Sequence, residues 1–260
     1  MNRNLIETAR LEKARLETAR ADSPARRLPR RTLLLAAAAV PGALLPASLL
    51  SSVALADEKE KEVGAVEDLM REHGVLRRAL LVYRESAARL RSEPGSIAAQ
   101  ALRDTALLFR SFGEDYHEQK LEEAHIFPAL RKTGGAAAVQ LDVLIAQHQR
   151  GREITAYILA VAGKGKIGAG DAEPLARAFD AMDRMYEHHA AHEDTVVFPA
   201  WKDALTAQQL DEMGDKFEEI EQQQFGKDGF EDAVRRIARI EQTLGMADLG
   251  RFTAPPPPRA

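Results

Sequence analysis

The chain has no cysteine, a single tryptophan and an aromatic share of only 5%. Without thiols there is no disulfide, no thiolate metal site and no iron–sulfur cluster. Any metal must be held by imidazole and carboxylate. No segment alternates apolar and polar residues over the length of a strand, so no sheet is expected. The glycine-rich run at 163–170 follows no strand, which removes it as a phosphate-binding loop. Positive charge is scarce where a nucleic acid would need it. Residues 1–56 carry nine Lys+Arg and four Asp+Glu, which leaves 27 basic and 36 acidic residues, a net −9, for 57–260. An acidic body argues against nucleic acid as a partner.

What is present is 260 residues, 45% of them hydrophobic, enough for one sizeable core. The first 56 residues read as an address. Arg30 and Arg31 open an apolar run from Leu33 to Ala56 that ends Ala54-Leu-Ala56. A basic region, an apolar stretch and an A-x-A end form a secretory signal, with cleavage expected after Ala56. The paired arginines resemble a twin-arginine leader. Export to a bacterial periplasm follows, without stable membrane insertion if the signal is cleaved. If uncleaved, the run is long enough to anchor the protein.

The body, 57–204, shows four amphipathic segments. They run from about Lys59 to Leu90, Ser96 to Lys132, Ala136 to Ala162, and Asp171 to Ala204. In the first, Val66, Leu69, Met70, His73, Leu76, Leu80 and Tyr83 follow the 3–4 spacing of one buried stripe. Short loops between long helices predict an all-α, antiparallel up-down four-helix bundle. Two further helices, Thr206–Phe225 and Phe230–Leu244, make a C-terminal extension over 205–250. A Pro-rich, disordered tail is expected at 251–260.

Histidine is where the chemistry concentrates. His188-His-Ala-Ala-His-Glu193-Asp-Thr-Val-Val-Phe-Pro199 has a partial copy in His117-Glu-Gln-Lys-Leu-Glu122-Glu-Ala-His-Ile-Phe-Pro128. His189 and Glu193 sit one turn apart on one helical face. His73 and His148 are lone histidines on the inner stripes of the first and third helices. Each alone is more often a satisfied core residue. Their convergence on four helices favours a shared metal, since burying unpaired imidazoles and carboxylates costs several kcal/mol. An N/O ligand set with two carboxylates suits a pair of iron ions, with manganese or zinc ranked behind.

This pattern resembles the hemerythrin family, the HHE cation-binding type, over about 62–204. The twin-arginine leader and the Phe225-Gly-x-x-Gly-Phe tail resemble an exported bacterial subgroup. The resemblance implies a non-haem, oxo- or hydroxo-bridged di-iron centre held by His73, His117, Glu122, His148, His189 and Glu193. It implies a protein that binds O2 or a related small ligand, NO or peroxide. A redox enzyme of peroxidase, oxidase or NO reductase type, or an iron buffer, is the alternative; the redox partner stays open.

Helix two departs from the family spacing. Five residues separate His117 from Glu122, about 140° apart on an ideal α-helix. Either Glu118, four before Glu122, replaces the imidazole, or a π-bulge brings His117 back over Glu122; the second is favoured, with Glu118 kept as a candidate additional metal ligand. A fifth histidine would have to be His192, expected on the inner side of its helix, or His125. Tyr83, Tyr116 and Glu187 are expected to orient ligands. Asp194 and Glu123 are expected to be solvated or to support the ligands from behind.

Overall fold

The structure is a computed structural model that describes residues 63–258. The leader read at 1–56 and the expected start of the first helix at Lys59 lie outside the described residues. Among the described residues there are six helices and no strand. Helix α1 is Ala65–Ser92. Helix α2 begins as Ala99–Leu108, continues through a π-helical stretch, Phe109–Ile126, and returns to α-helix over Phe127–Thr133. Helix α3 is Ala136–Ala162. Helix α4 runs Ala169–His192, passes through a π-helical Glu193–Val197 and ends as Phe198–Asp203. Helices α5, Ala207–Phe225, and α6, Gly229–Thr243, follow. No helix of the described residues is long and apolar enough to cross a membrane.

Local chemistry sets the ends. The turn between α2 and α3 places Gly134 and Gly135 at φ 74° and 88°, where a Cβ would be strained. Thr206 and Gln209 form a capping box at the start of α5, satisfying two amides that the first turn leaves open. The π stretches end alike. The Phe127 N–H reaches back to the Glu122 carbonyl, and the Phe198 N–H to that of Glu193. Both are five-residue bonds, and in both the next residue is proline. Proline has no N–H and its ring clashes with the carbonyl four residues back. A wider turn ahead of it relieves both problems.

Register is recorded by polar contacts between helices. Arg77 pairs with Asp194, Arg84 with Asp183 at 2.9 Å and Arg91 with Asp180 at 2.5 Å, so numbers climb on α1 as they fall on α4. Arg152 meets Glu123 at 2.7 Å and Arg131 meets Asp142 at 2.5 Å, with the same opposition between α2 and α3. Exposed pairs contribute at most about 1 kcal/mol each; the apolar interior does more. Tyr83 stacks on Phe179 at 4.6 Å, and Phe109 meets Tyr186 edge-on at 4.9 Å. Such buried rings bring apolar area plus about 0.5–1.5 kcal/mol per aromatic pair.

The C-terminal helices pack on the same core. Trp201 stacks on Phe217 of α5 at 5.8 Å, and Phe225 meets Tyr116 of α2 at 5.3 Å. Arg78 of α1 holds Glu241 of α6 with two bonds, at 2.8 and 2.5 Å. One member of the expected α1 stripe falls off it. Met70 is 37% exposed, while Leu69, His73, Leu76, Leu80 and Tyr83 are buried. One step past Leu69 turns a side chain about 100° away from the core.

Candidate metal centre

Four imidazoles from four helices meet in two pairs inside the core. His73 of α1 and His117 of α2 bring their Nε2 atoms to 3.0 Å, and His148 of α3 and His189 of α4 to 3.1 Å. All four are buried. Two carboxylates lie between the pairs. Glu122 turns Oε1 toward His117 Nε2 at 3.3 Å and Oε2 toward His148 Nε2 at 3.3 Å. Glu193 Oε2 stands 3.0 Å from His189 Nε2 and 3.5 Å from His73 Nε2.

The phase of α2 is what allows this. The stretch from Phe109 to Ile126 bonds with π-helical periodicity, so residues five apart return to one face. His117 therefore lies over Glu122. The buried residues of the stretch are Phe109, Phe112, Gly113, Glu114, Tyr116, His117, Glu118, Leu121, Glu122 and Ile126.

Each imidazole is fixed from behind. Nδ1 of His73 bonds Asp194 at 2.7 Å, and Nδ1 of His117 bonds Glu72 at 2.5 Å. Nδ1 of His148 bonds Glu123 at 2.8 Å, and Nδ1 of His189 bonds the Gln147 side-chain oxygen at 2.9 Å. All four partners accept, so all four Nδ1–H groups donate outward. With Nδ1 engaged in each ring, the nitrogen left to bind a cation is Nε2, and all four Nε2 atoms face the centre.

The electrostatics are those of a site that competes for protons. Burial pulls His117 down, but the Glu122 and Glu72 carboxylates outweigh it and hold the imidazole well above its usual range. Burial likewise works against His148, yet Glu118, Glu122 and Glu123 lift it to about 10. Burial pushes Glu122 up, and His117 and His148 reverse this and hold it well below the usual carboxylate range. A cation at the same lone pairs would displace these protons.

The residues fit a divalent cation. Both oxygens of Glu122 and both of Glu193 are buried without a hydrogen-bond partner, a large cost for a carboxylate unless something coordinates it. Donor atoms about 3 Å apart are spaced as neighbours around one ion bonded at about 2.1 Å. Three groups bring donor atoms within 4.8 Å of one another; one, of Glu118, Glu123 and His148, lies to the side, and the other two are His73, His117 and Glu122, and Glu122, His148, His189 and Glu193. Glu122 belongs to both.

A small cavity of about 10 Å³ adjoins the cluster, lined by His73, His117, His189, Glu118, Tyr186 and Leu76 among others. That is room for roughly one water-sized molecule. Glu118 is buried here but is already engaged. Its Oε1 accepts from the Tyr186 hydroxyl at 2.7 Å and its Oε2 from Arg152 Nη2 at 3.2 Å. Burial raises its carboxyl above the usual range, against the pull of His148 and Tyr186.

The remaining histidines stand apart. His192 is exposed, contrary to the inner position expected of it. Three residues past His189 place it about 60° round the helix, on the side opposite to Glu193's offset. His125 is half-buried against Phe217 of α5, at 5.9 Å between rings, and is lowered by burial and Lys216. No fifth imidazole joins the cluster among the described residues. Two of the expected orienting residues also lie elsewhere. Glu187 pairs with Arg84 at the surface, and Tyr83 packs on Phe179. Tyr116 neighbours Glu72, and its hydroxyl is raised by burial and by that carboxylate.

Comparison with known proteins agrees with this geometry. The hemerythrin HHE cation binding domain model matches residues 64–201, and a second match covers 139–245. The chain belongs to the hemerythrin HHE cation-binding family. Membership implies bound metal ions, typically iron, and the buried His/Glu groups make this a metal-binding helical protein. This hemerythrin-like chain is 45% identical over 197 residues to the uncharacterized protein Mb2018 of Mycobacterium bovis. It is equally similar to the uncharacterized proteins MT2051 and Rv1995 of Mycobacterium tuberculosis. In each case 75% of this chain and 76% of the relative are covered. No solved structure matches it.

Sequence reasoning passed over Glu72, Gln147, Gly151, Arg152 and Tyr186. Glu72 precedes His73, and Gln147 precedes His148. An acceptor beside a ligand histidine is the signal that could have found them.

Proposed function

We propose that this chain holds a pair of iron ions, one in each of the two groups that share Glu122, and that O2 or a related small ligand, NO or peroxide, reaches them through the adjoining cavity. The observation that carries the reading is Glu122 itself, one oxygen toward each imidazole group and neither oxygen hydrogen-bonded. A carboxylate bridging two ions is satisfied there; one facing two lone-pair groups with nothing between is not. The housing is an antiparallel up-down bundle of α1 to α4, supported by the opposed numbering of the paired residues.

A ferrous pair held by these residues would be a source of electrons for a bound small molecule. The chain's residues do the rest. The four Nδ1 bonds keep the imidazoles aimed, Leu76 keeps one cavity wall apolar, and burial keeps bulk water out.

Turnover is the second reading. It is favoured by the missing fifth imidazole and by the buried Glu118 and Tyr186 at the cavity wall. The leader fits export to the periplasm, which signal processing in the source cell would test.

Anaerobic iron reconstitution, metal analysis and O2 exposure followed by absorbance test the proposal. Two irons per chain and a spectrum that reverses on deoxygenation support binding. Irreversible oxidation with peroxide consumption supports turnover. His189→Ala should abolish the spectrum. Failure of the wild type to take up iron would overturn the reading.

A further inference from the structure

Among the described residues lining the cavity beside His73, His117 and His189, Glu118 is the carboxylate, and it is not free to turn into it. The Tyr186 hydroxyl donates to Oε1 at 2.7 Å, and Arg152 donates to Oε2 at 3.2 Å, so both oxygens are held. The clamp draws on three helices: Glu118 from α2, Arg152 from α3, Tyr186 from α4. Arg152 also holds Glu123 at 2.7 Å, and Glu123 holds His148. The clamp is thus tied to a ligand histidine by one guanidinium. Space for it is provided on purpose by sequence. A Cβ on Gly151 would fall 2.0 Å from the Tyr186 hydroxyl oxygen, so only glycine at 151 lets the phenol reach Glu118.

We propose that Tyr186 and Arg152 restrain Glu118 so that the cavity-facing coordination position stays open to an exogenous ligand. The inference rests on the metal reading of the cluster. A free carboxylate beside an iron is an intramolecular competitor, and a ligand that must displace it loses affinity by the fraction of protein in the open state. Tyr186 acts here as a positioning residue. It keeps Glu118 engaged elsewhere, and Gly151 keeps Tyr186 in reach.

The test is azide binding to the iron-loaded full-length protein, followed by its charge-transfer absorbance, with iron content and thermal unfolding measured on every variant. Tyr186→Phe should keep its iron yet bind azide about tenfold more weakly or worse, the range expected when a hydrogen bond to a charged group is lost. Adding Glu118→Gln to Tyr186→Phe should restore azide affinity, because the amide is a poor competitor for iron. Glu118→Gln alone should bind azide at least as well as wild type. Unchanged azide affinity in iron-replete Tyr186→Phe would overturn the proposal. So would a loss that Glu118→Gln fails to rescue. If Tyr186→Phe loses its fold or its iron, Arg152→Gln with and without Glu118→Gln gives the same two readings. A wild type that takes up no iron sinks the metal reading instead, and iron content separates the two failures.

Discussion

His117 Nε2 lies 3.3 Å from Glu122 Oε1 although five residues separate them. On an α-helix the residue over Glu122 would be Glu118. The π-helical stretch of α2 exchanges the two, placing an imidazole at the cluster and directing the carboxylate to Tyr186. The consequence is testable by substitution. His117→Ala and Glu122→Ala should each weaken iron binding by more than the ~10–100-fold expected of an outer partner. Glu118→Gln should retain the wild-type iron content. Metal analysis after dialysis against a chelator decides it. Loss of iron in Glu118→Gln with retention in His117→Ala would mean that the α-helical phase is correct.

The partner behind a ligand can be weighed separately. Asp194 accepts from His73 Nδ1 at 2.7 Å and is itself paired with Arg77. Asp194→Asn keeps an acceptor but removes the charge, and should weaken iron binding about tenfold. Asp194→Ala removes both and should approach 100-fold. Competitive titration with a chelator of known affinity measures each.

Much of this was legible in sequence, for a physical reason. His73, His148, His189 and Glu193 sit where an α-helical count puts them, because α1, α3 and this part of α4 are regular. For α2 the π-helical phase was favoured over the α-helical one but not fixed. Local sequence does not say which turn will widen, since the choice depends on Phe112, Tyr116 and Leu121 finding the core together. His192 was misplaced because a one-turn rule does not resolve the two flanks of a narrow stripe. The clamp was invisible because Glu118, Arg152 and Tyr186 are distant in sequence and meet only by packing. The leader, read at 1–56, lies outside the described residues.

Two helical glycines should respond oppositely to alanine. At Gly74 of α1 an added Cβ meets nothing within 4 Å. Gly74→Ala should gain about 0.5–1 kcal/mol from reduced chain entropy, about 1–4 °C in melting temperature. At Gly151 of α3 the Cβ would overlap Tyr186. The same change should cost about 1–3 kcal/mol of overpacking, exceeding the helix gain. Tyr186→Phe added to Gly151→Ala should recover part of the loss, because the closest contact is with the hydroxyl oxygen. Thermal unfolding of the three variants checks the signs.

Glu114 gives the pH dependence. It is buried one turn along α2 from Glu118, with both oxygens lacking a hydrogen-bond partner and Arg110 Nε at 2.8 Å. Its carboxyl is pushed up to about 7 from 4.5, by burial first; Thr155 and Arg110 oppose this, and Glu118 adds to it. Between 4.5 and about 7 the folded state therefore holds a proton that the unfolded chain has lost. Stability then falls as pH rises through that window, since the native state binds more protons. Asp68, raised to about 6, and Glu221, raised to about 7, act in the same direction. The variant comparison isolates Glu114. In metal-free protein, Glu114→Gln should flatten the decline and be more stable than wild type above pH ~7 by about 1–3 kcal/mol. Near pH ~4.5 the two proteins should converge, since the wild-type side chain is then neutral in the fold as well. Urea unfolding at four or five pH values measures the difference, and parallel curves for the two proteins would show that Glu114 does not carry the slope.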